Sequence, residues 1–257
     1  SASASLNGVD PHPVEDDLIQ PLLGDTEGAL IVLHPGQKPI VQGHATLREQ
    51  GVIFSTWEQV VQSNPEILKK YLGSVVAHDE GKFSALTAAL VRDGYIIHVP
   101  KGVQVDIPLH SVLWAPGSNS AVFSRLLVIV EDGASVTYVH ESASPSEAVG
   151  GLIHAGIVEL FVGKNANLKF VEIQSWGRHV WNFTHERARV ERDGHLDWVF
   201  GAVGSHLSKN FSDITLAGEG ADGRMSGFFF TDRDQHLDHD TQQNHLSPSS
   251  KHATRST

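Results

Sequence analysis

Cysteine is absent from all 257 residues, and that absence removes disulfides, thiolate nucleophiles and thiolate metal ligands together. Methionine occurs once, at Met225, so the sequence is read as a processed chain or a piece of a longer one. Positive charge is scarce: 19 lysines and arginines stand against 30 acidic residues, a formal charge of −11. Such a field repels polyanions, and no local basic patch offsets it, which argues against nucleic acid as a partner. Long apolar runs are missing as well. The run at residues 126–130 is far shorter than the roughly 20 residues a membrane helix needs, so no membrane span is expected. No basic segment leading into an apolar stretch opens the chain, so no secretory signal is expected. These absences fit a reducing, cytoplasmic setting.

Hydrophobic residues make up 40% and charged residues 19%, enough to bury one substantial core. Residues 1–28 are rich in Pro, Asp and Gly, with one apolar patch at residues 18–23. The stretch ALIVLHPGQKPIVQG reads as two short β runs around a Pro-Gly turn. Next, STWEQVVQSNPEILKKYLG predicts two short helices. Ser55 or Thr56 would cap the first, Asn64 and Pro65 would start the second, and Gly73 would end it. A third helix is predicted over residues 82–91, with Phe83, Leu86, Leu90 and Val91 at helical spacing and Gly94 as terminator. From Gly94 the period becomes two: Val103, Val105 and Ile107 share one face, Gln104 and Asp106 the other.

A repeat then sets in. VEDGASVTYV, VGKNANLKFV, VERDGHLDWV and LAGEGADGRMSGFF each join an apolar residue, a short polar turn and a strand pattern. They begin at Val130, Val162, Val190 and Leu216, in steps of 32, 28 and 26 residues. Repetition of this kind marks a solenoid, in which each turn buries its apolar face against its neighbours. The uneven steps call for insertions or an extra strand per turn. A β-propeller or jelly roll competes less well: Asp197-Trp198 reverses the order expected of WD repeats, and Asn-Gly hairpin turns are lacking. The predicted fold is therefore mainly β, a parallel β-helix over residues 94–257. A small α/β segment with short helices, residues 1–93, precedes it.

The sharpest local chemistry is DRDQHLDHD at residues 232–240, with His245 beyond it. On a strand, His236, Asp238 and Asp240 share one face while Leu237 and His239 take the other. Imidazole and carboxylate groups suit Zn²⁺ or Fe²⁺, although no fixed ligand spacing is present and a polar, solvent-facing rung explains the same residues. A metal-dependent enzyme on a solenoid or cupin-like barrel, using His236 and His239 with Asp238, is the rival reading. His179, His185 and His195 are scattered and read as surface or satisfied core histidines. GEGADG lacks the lysine and Ser/Thr of a P-loop, and the loop around Ser142 has no nucleophile-elbow pattern. Gln174 and Trp176 alternate, so both fall on one side of a strand. Placed inward, they would need hydrogen-bond partners inside the coil.

Four stretches, HDEGKFSALTAALVRDGYIIHVPKGVQVDIPL, IVEDGASVTYVHESASP, VEIQSWGRHVWNF and DQHLDHDTQQNHLSP, occur in an order that resembles the SufB/SufD family of iron–sulfur cluster assembly scaffolds. The likeness runs from about Gly51 to Pro248. It implies a right-handed β-helix in a cytosolic complex with a SufB-like scaffold and SufC, an ATPase of the ABC type. SufB-like chains typically carry a cysteine where this sequence has Ser142, and an Arg-x-Asn where it has Trp114, Ala115 and Pro116. They carry a lysine where it has Glu186; Gln174 and Trp176 match. The resemblance is thus to the SufD-like partner: a non-catalytic scaffold, with the cluster assembled at the level of the complex and no cofactor of its own expected. Relatives usually continue past the segment ending at Pro248 with more rungs and C-terminal helices, so the chain reads as truncated. Self-association through the solenoid end, a homodimer included, is a third reading.

Overall fold

Strand after strand stacks in the same direction, each residue over its counterpart one turn earlier. The computed structural model describes residues 28–115, 117 and 119–256. The apolar patch at 18–23 and Pro116 lie outside the described residues. The chain is 54% strand, wound as a β-solenoid of about six turns.

Its first elements are β1 (Ala29–Leu33) and β2 (Ile40–Gln42), an antiparallel pair around the expected turn at Pro35 and Gly36. Then come α1 (Ala45–Glu49), β3 (Ile53–Thr56), α2 (Trp57–Ser63), α3 (Pro65–Tyr71) and α4 (Lys82–Leu90). The solenoid strands are β4 (Asp93–Val99), β5 (Leu109–Trp114), β6 (Ser120–Val130), β7 (Ser135–Ala143), β8 (Leu152–Val162) and β9 (Asn167–Trp176). They continue as β10 (Val180–Val190), β11 (His195–Gly204), β12 (Leu207–Leu216), β13 (Asp222–Phe230), β14 (His236–His245) and β15 (Lys251–Ser256). One sheet has the order β15-β13-β11-β9-β7-β5-β1-β2, the other β14-β12-β10-β8-β6-β4-β3. All pairings among β4 to β15 are parallel. Residues 1–93 contribute to both sheets, because β1 pairs with β5 in parallel and β3 with β4 antiparallel.

The repeat is a register. Val130 sits opposite Val162, Val162 opposite Val190, and Val190 opposite Leu216. Among the described residues each turn holds two strands and no third one. The uneven steps arise mainly in the connectors at residues 144–151, 177–179 and 205–206. On the opposite edge the turns at 131–134, 163–166 and 191–194 have four residues each, and the turn at 217–221 has one more. Gly133, Asn165, Asp193 and Gly220 occupy equivalent places with φ of 70, 53, 53 and 69°. Glycine adopts this left-handed conformation freely, and Asn and Asp are the side chains that best tolerate it. The backbone N–H of Gly133 donates to the Lys164 carbonyl, that of Asn165 to Arg192 and that of Asp193 to Glu219, so the turns form a ladder of their own.

Alternation along each strand sends one set of side chains inward. Val128, Leu160, Ala188 and Ile214 make one buried column, and Tyr138, Phe170, Trp198 and Met225 face it from the other sheet. The Phe170 ring lies 5.7 Å from Tyr138 and 5.6 Å from Trp198. Such contacts add about 0.5–1.5 kcal/mol each beyond burial.

The expected helices form, except that α4 ends at Leu90 and Gly94 lies within β4 rather than terminating it, and with three further differences. Thr56 stands at the N-cap of α2 but makes no side-chain cap bond; Ser55 instead donates its hydroxyl to the Gln59 side chain. Asn64 likewise caps α3 by position only, with Pro65 opening the helix. In α4 the buried face is Ser84 and Thr87, whereas Leu86 and Leu90 are exposed. Small residues let this helix lie close to the sheet: Thr87 donates to the Ala155 carbonyl at 3.1 Å, and the Phe83 ring stacks 3.8 Å from Phe183. Two elements, α1 and β3, are too short to leave a periodic signature. A buried ion pair fastens this helical layer: Glu159 accepts Arg125 Nη2 at 2.6 Å and backbone N–H groups of Gly73, Val75 and Val76 at 3.2–3.4 Å. Among the described residues no helix is long and apolar enough to cross a membrane.

Candidate functional site

The interior between the two sheets is apolar where β6, β8, β10 and β12 end, and polar in their earlier parts once Leu152 and Val180 are passed. At the polar end Ser124, His154, Asn182, Glu186, Ser208 and Asn210 point inward from one sheet and are all buried. Ser111, His140, Ser142 and Gln174, also buried, face them from the other. Unpaired, such groups would each cost about 1–3 kcal/mol. They are instead joined to one another.

The direction of the bonds follows from one acceptor. Glu186 takes the Ser212 hydroxyl at 2.6 Å and Asn210 Nδ2 at 3.3 Å. A carboxylate only accepts, so Asn210 turns its amide nitrogen toward it and its Oδ1 away. That oxygen accepts Asn182 Nδ2 at 3.4 Å. Asn182 Oδ1 then faces His154 Nδ1 at 2.6 Å, which must carry the ring proton. His154 Nε2 is left to accept the Ser124 hydroxyl at 2.7 Å. Burial pushes the His154 ring down to about 4 and the His140 ring to about 3, so both are neutral at ordinary pH. Every donor in the series points toward Glu186. Branches stiffen it: Asn182 Nδ2 also meets Gln174 Oε1 at 2.9 Å, and Gln174 Nε2 donates to Ser208 Oγ at 2.7 Å.

Gly156 makes room for this arrangement. It occupies an inward position beside His154, and a Cβ there would stand 2.9 Å from His154 Cε1 and 3.3 Å from Ser124 Oγ.

Four positions that the resemblance singled out converge here. Ser142 pairs in register with Gln174 and lies 3.3 Å from His140 Nε2. Gln174 and Glu186 belong to the network, and the Trp176 ring is 5.0 Å from His154. Trp114 is different: it joins Leu30, Val32, Val112 and Ala143 in a separate apolar cluster.

The acidic, His-rich strand β14 separates its residues as alternation requires. His239 lies with its ring 5.1 Å from Phe200 and 5.5 Å from Phe229, Asp238 pairs with Lys209 at 2.8 Å, and His236 is exposed. Among the described residues no three His, Asp or Glu side chains are grouped to hold a metal ion. His185 stacks 4.9 Å from Phe211, and His195 lies 3.5 Å from Asp222.

Sequence reasoning missed Ser124, His154, Asn182, Ser208 and Asn210. The signal was there in the repeat itself: His154, Asn182 and Ser208 are register partners on successive turns, one step apart.

Comparison with known proteins bears on residues 39–256. A family profile described as SUF system FeS cluster assembly, SufBD core domain, matches residues 113–256, and one described as SufBD protein N-terminal region matches residues 39–110. An iron-sulfur cluster assembly SufBD family protein of Staphylococcus aureus (strain USA300) is 35% identical over 202 residues, 79% of this chain and 43% of that protein. A relative of the same description from Staphylococcus haemolyticus (strain JCSC1435) gives the same figures. The chain therefore spans less than half the length of these curated relatives. With profile matches across both its N-terminal segment and its solenoid, the chain belongs to the SufBD family of iron–sulfur cluster assembly proteins.

Proposed function

We propose that the chain is a SufD-like, non-catalytic scaffold of a cytoplasmic iron–sulfur cluster assembly complex. It would pair with a SufB-like subunit and be coupled to a SufC-like ATPase. One observation carries this reading: the interior of the solenoid offers no thiolate. The chain has no cysteine, and Ser142 and Glu186, which resemble the positions of a cysteine and a lysine in SufB-like chains, are buried in the interior. A serine hydroxyl has neither the acidity of a thiol nor its affinity for iron or sulfur. The cluster, which is cargo, would be built on ligands from elsewhere in the complex. This subunit would contribute a stiff parallel solenoid, held by register and interior hydrogen bonds, against which a partner aligns.

Co-expression with a SufB-like and a SufC-like protein, followed by size exclusion, tests the proposal. Co-elution of all three is expected. A folded chain that elutes alone, or only as a homodimer, in the presence of both partners would sink it.

A further inference from the structure

Two columns of inward residues flank the turn edge of the solenoid, one on each sheet. Val130, Val162, Val190 and Leu216 are register partners on one, and Val136, Leu168, Leu196 and Gly223 on the other. All eight are buried. One turn further the register continues to His245 on β14 and His252 on β15. Two imidazoles thus stand where the earlier turns place apolar residues. His245 Nε2 lies 2.7 Å from His252 Nδ1, and the rings meet edge to face with centroids 4.9 Å apart. Both residues are exposed, and among the described residues no strand pairs with the far side of β14 or β15.

Hydrogen bonding fixes which lone pair points into the gap. Ser250 donates its hydroxyl to the Ser247 carbonyl at 3.0 Å, so toward His245 Nδ1, 2.5 Å away, its oxygen can only accept. Neutral His245 therefore carries its proton on Nδ1 and presents the Nε2 lone pair to His252. The proton on His252 Nδ1 completes the contact. When that proton moves to the other nitrogen of the same ring, two lone pairs converge on one point and need a cation between them. The turn that joins the two histidines is fastened to the turn before it. Leu246 N–H donates to the Leu216 carbonyl at 3.0 Å, the Ser247 hydroxyl to that of Ala217 at 2.6 Å, and Lys251 N–H to that of Ala221 at 2.9 Å.

We propose that His245 and His252 form a two-imidazole site for a divalent first-row transition metal that favours nitrogen ligands, such as Zn²⁺ or Cu²⁺, with water in the remaining positions. Nitrogens bound at about 2.0–2.1 Å to a tetrahedral ion lie roughly 3.3 Å apart, which two exposed rings reach by a small rotation. The ring proton passes from one nitrogen of His252 to the other, so the neutral site takes up the ion with no net loss of protons. Ser250 is a positioning residue: its oxygen holds His245 in the tautomer and orientation that ligate. The acidic stretch at 232–240 has no part in this site. His236 takes an outward place on β14, and the His239 ring lies against Phe200 and Phe229. The site is independent of the scaffold reading, since it needs no partner subunit.

Calorimetric titration of the full chain with Zn²⁺, near neutral pH in a buffer that does not bind metal, tests the site. One saturable ion per chain is expected. His245→Ala and His252→Gln should each abolish that transition. Glutamine at 252 still offers a side-chain N–H to His245 but does not replace an imidazole as ligand, so this variant separates ligation from the lost hydrogen bond. Its circular dichroism should match that of the native chain. Ser250→Ala should weaken binding about tenfold, and Ser250→Thr, which keeps the hydroxyl, should restore it. X-ray absorption of the Zn²⁺-loaded chain should show two imidazole nitrogens on the metal. Absence of a one-to-one transition in the native chain would overturn the proposal. So would an unchanged transition in His252→Gln, which would assign the ion to others among the 16 histidines.

Discussion

Arg125 Nη2 meets Glu159 Oε2 at 2.6 Å on the outer face of the β6–β8 pair, and Glu159 is completely buried there. The same carboxylate accepts backbone N–H groups from residues 73–76, which follow α3. A single charge thus fixes both a strand pair and the loop between two helices that cover it.

Removing the charge exposes how much depends on it. Glu159→Gln leaves the Arg125 guanidinium buried without its counter-ion, a loss expected at about 3–5 kcal/mol. Urea denaturation measures it. Limited proteolysis within residues 73–81 should accelerate as the loop loosens; an unchanged cleavage rate would show that apolar packing alone holds the layer.

Phe170 is fully buried between Tyr138 and Trp198. Phe170→Ala is expected to cost about 3–5 kcal/mol, because stacked rungs on both sides cannot collapse into the gap. A thermal or chemical unfolding midpoint checks the value.

Gly156→Ala places a methyl group against His154, Thr184 and Ser124 at 2.9–3.3 Å. Each contact belongs to a side chain fixed by its neighbours, so the expected loss is about 1–3 kcal/mol. A crystal structure of the variant would show the His154 ring displaced from Asn182; an undisturbed 2.6 Å contact would contradict the prediction.

Acid weakens the interior through its buried histidines. The folded value of His154 lies at about 4, below its unfolded value near 6.5. The folded state therefore binds fewer protons over that window. The stabilisation is complete above the unfolded value and is lost as pH falls toward 4. Its full size is roughly 3 kcal/mol. His154→Gln should flatten this acid limb, which parallel unfolding series at pH 4–7 would reveal.

Asn165 holds its turn at φ of 53°. Asn165→Gly should be close to neutral and Asn165→Val should cost at least about 1–2 kcal/mol, since a β-branched side chain is crowded there. The difference between the two variants in one denaturation experiment isolates the backbone effect.

Why some of this could be read in the sequence and some could not is itself physical. Val130, Val162, Val190 and Leu216 announce the solenoid because a register partner must repeat both its apolar character and the turn that follows it. The helices around Trp57 and Pro65 were visible through Pro65 and Gly73, which act locally. The buried face of α4 was not, because Ser84 and Thr87 face the sheet for their small size, and a hydrophobic pattern is blind to size. The interior polar network was hidden for a related reason. His154, Asn182 and Ser208 look like solvent-facing residues until the turn-to-turn step places them in one column. Gln174, Glu186 and Ser142 stood out only through the family resemblance, and the fold explains their meeting: each sits at an inward place of its strand.

The two edges of the solenoid differ in what they can absorb. On the edge of Gly133, Asn165, Asp193 and Gly220, each turn is bonded to the next through a backbone N–H at a left-handed residue, and the one extra residue there, in the turn at 217–221, leaves the bond from Asp193 N–H to the Glu219 carbonyl in place. On the other edge the connectors at 144–151, 177–179 and 205–206 already differ in length while the strands they join stay in register. Long extra sequence, whether a loop that reaches a neighbouring subunit or an engineered tag, is therefore accommodated on that side, where the connectors already range from two to eight residues. Such a fold can lengthen its loops without re-indexing its core.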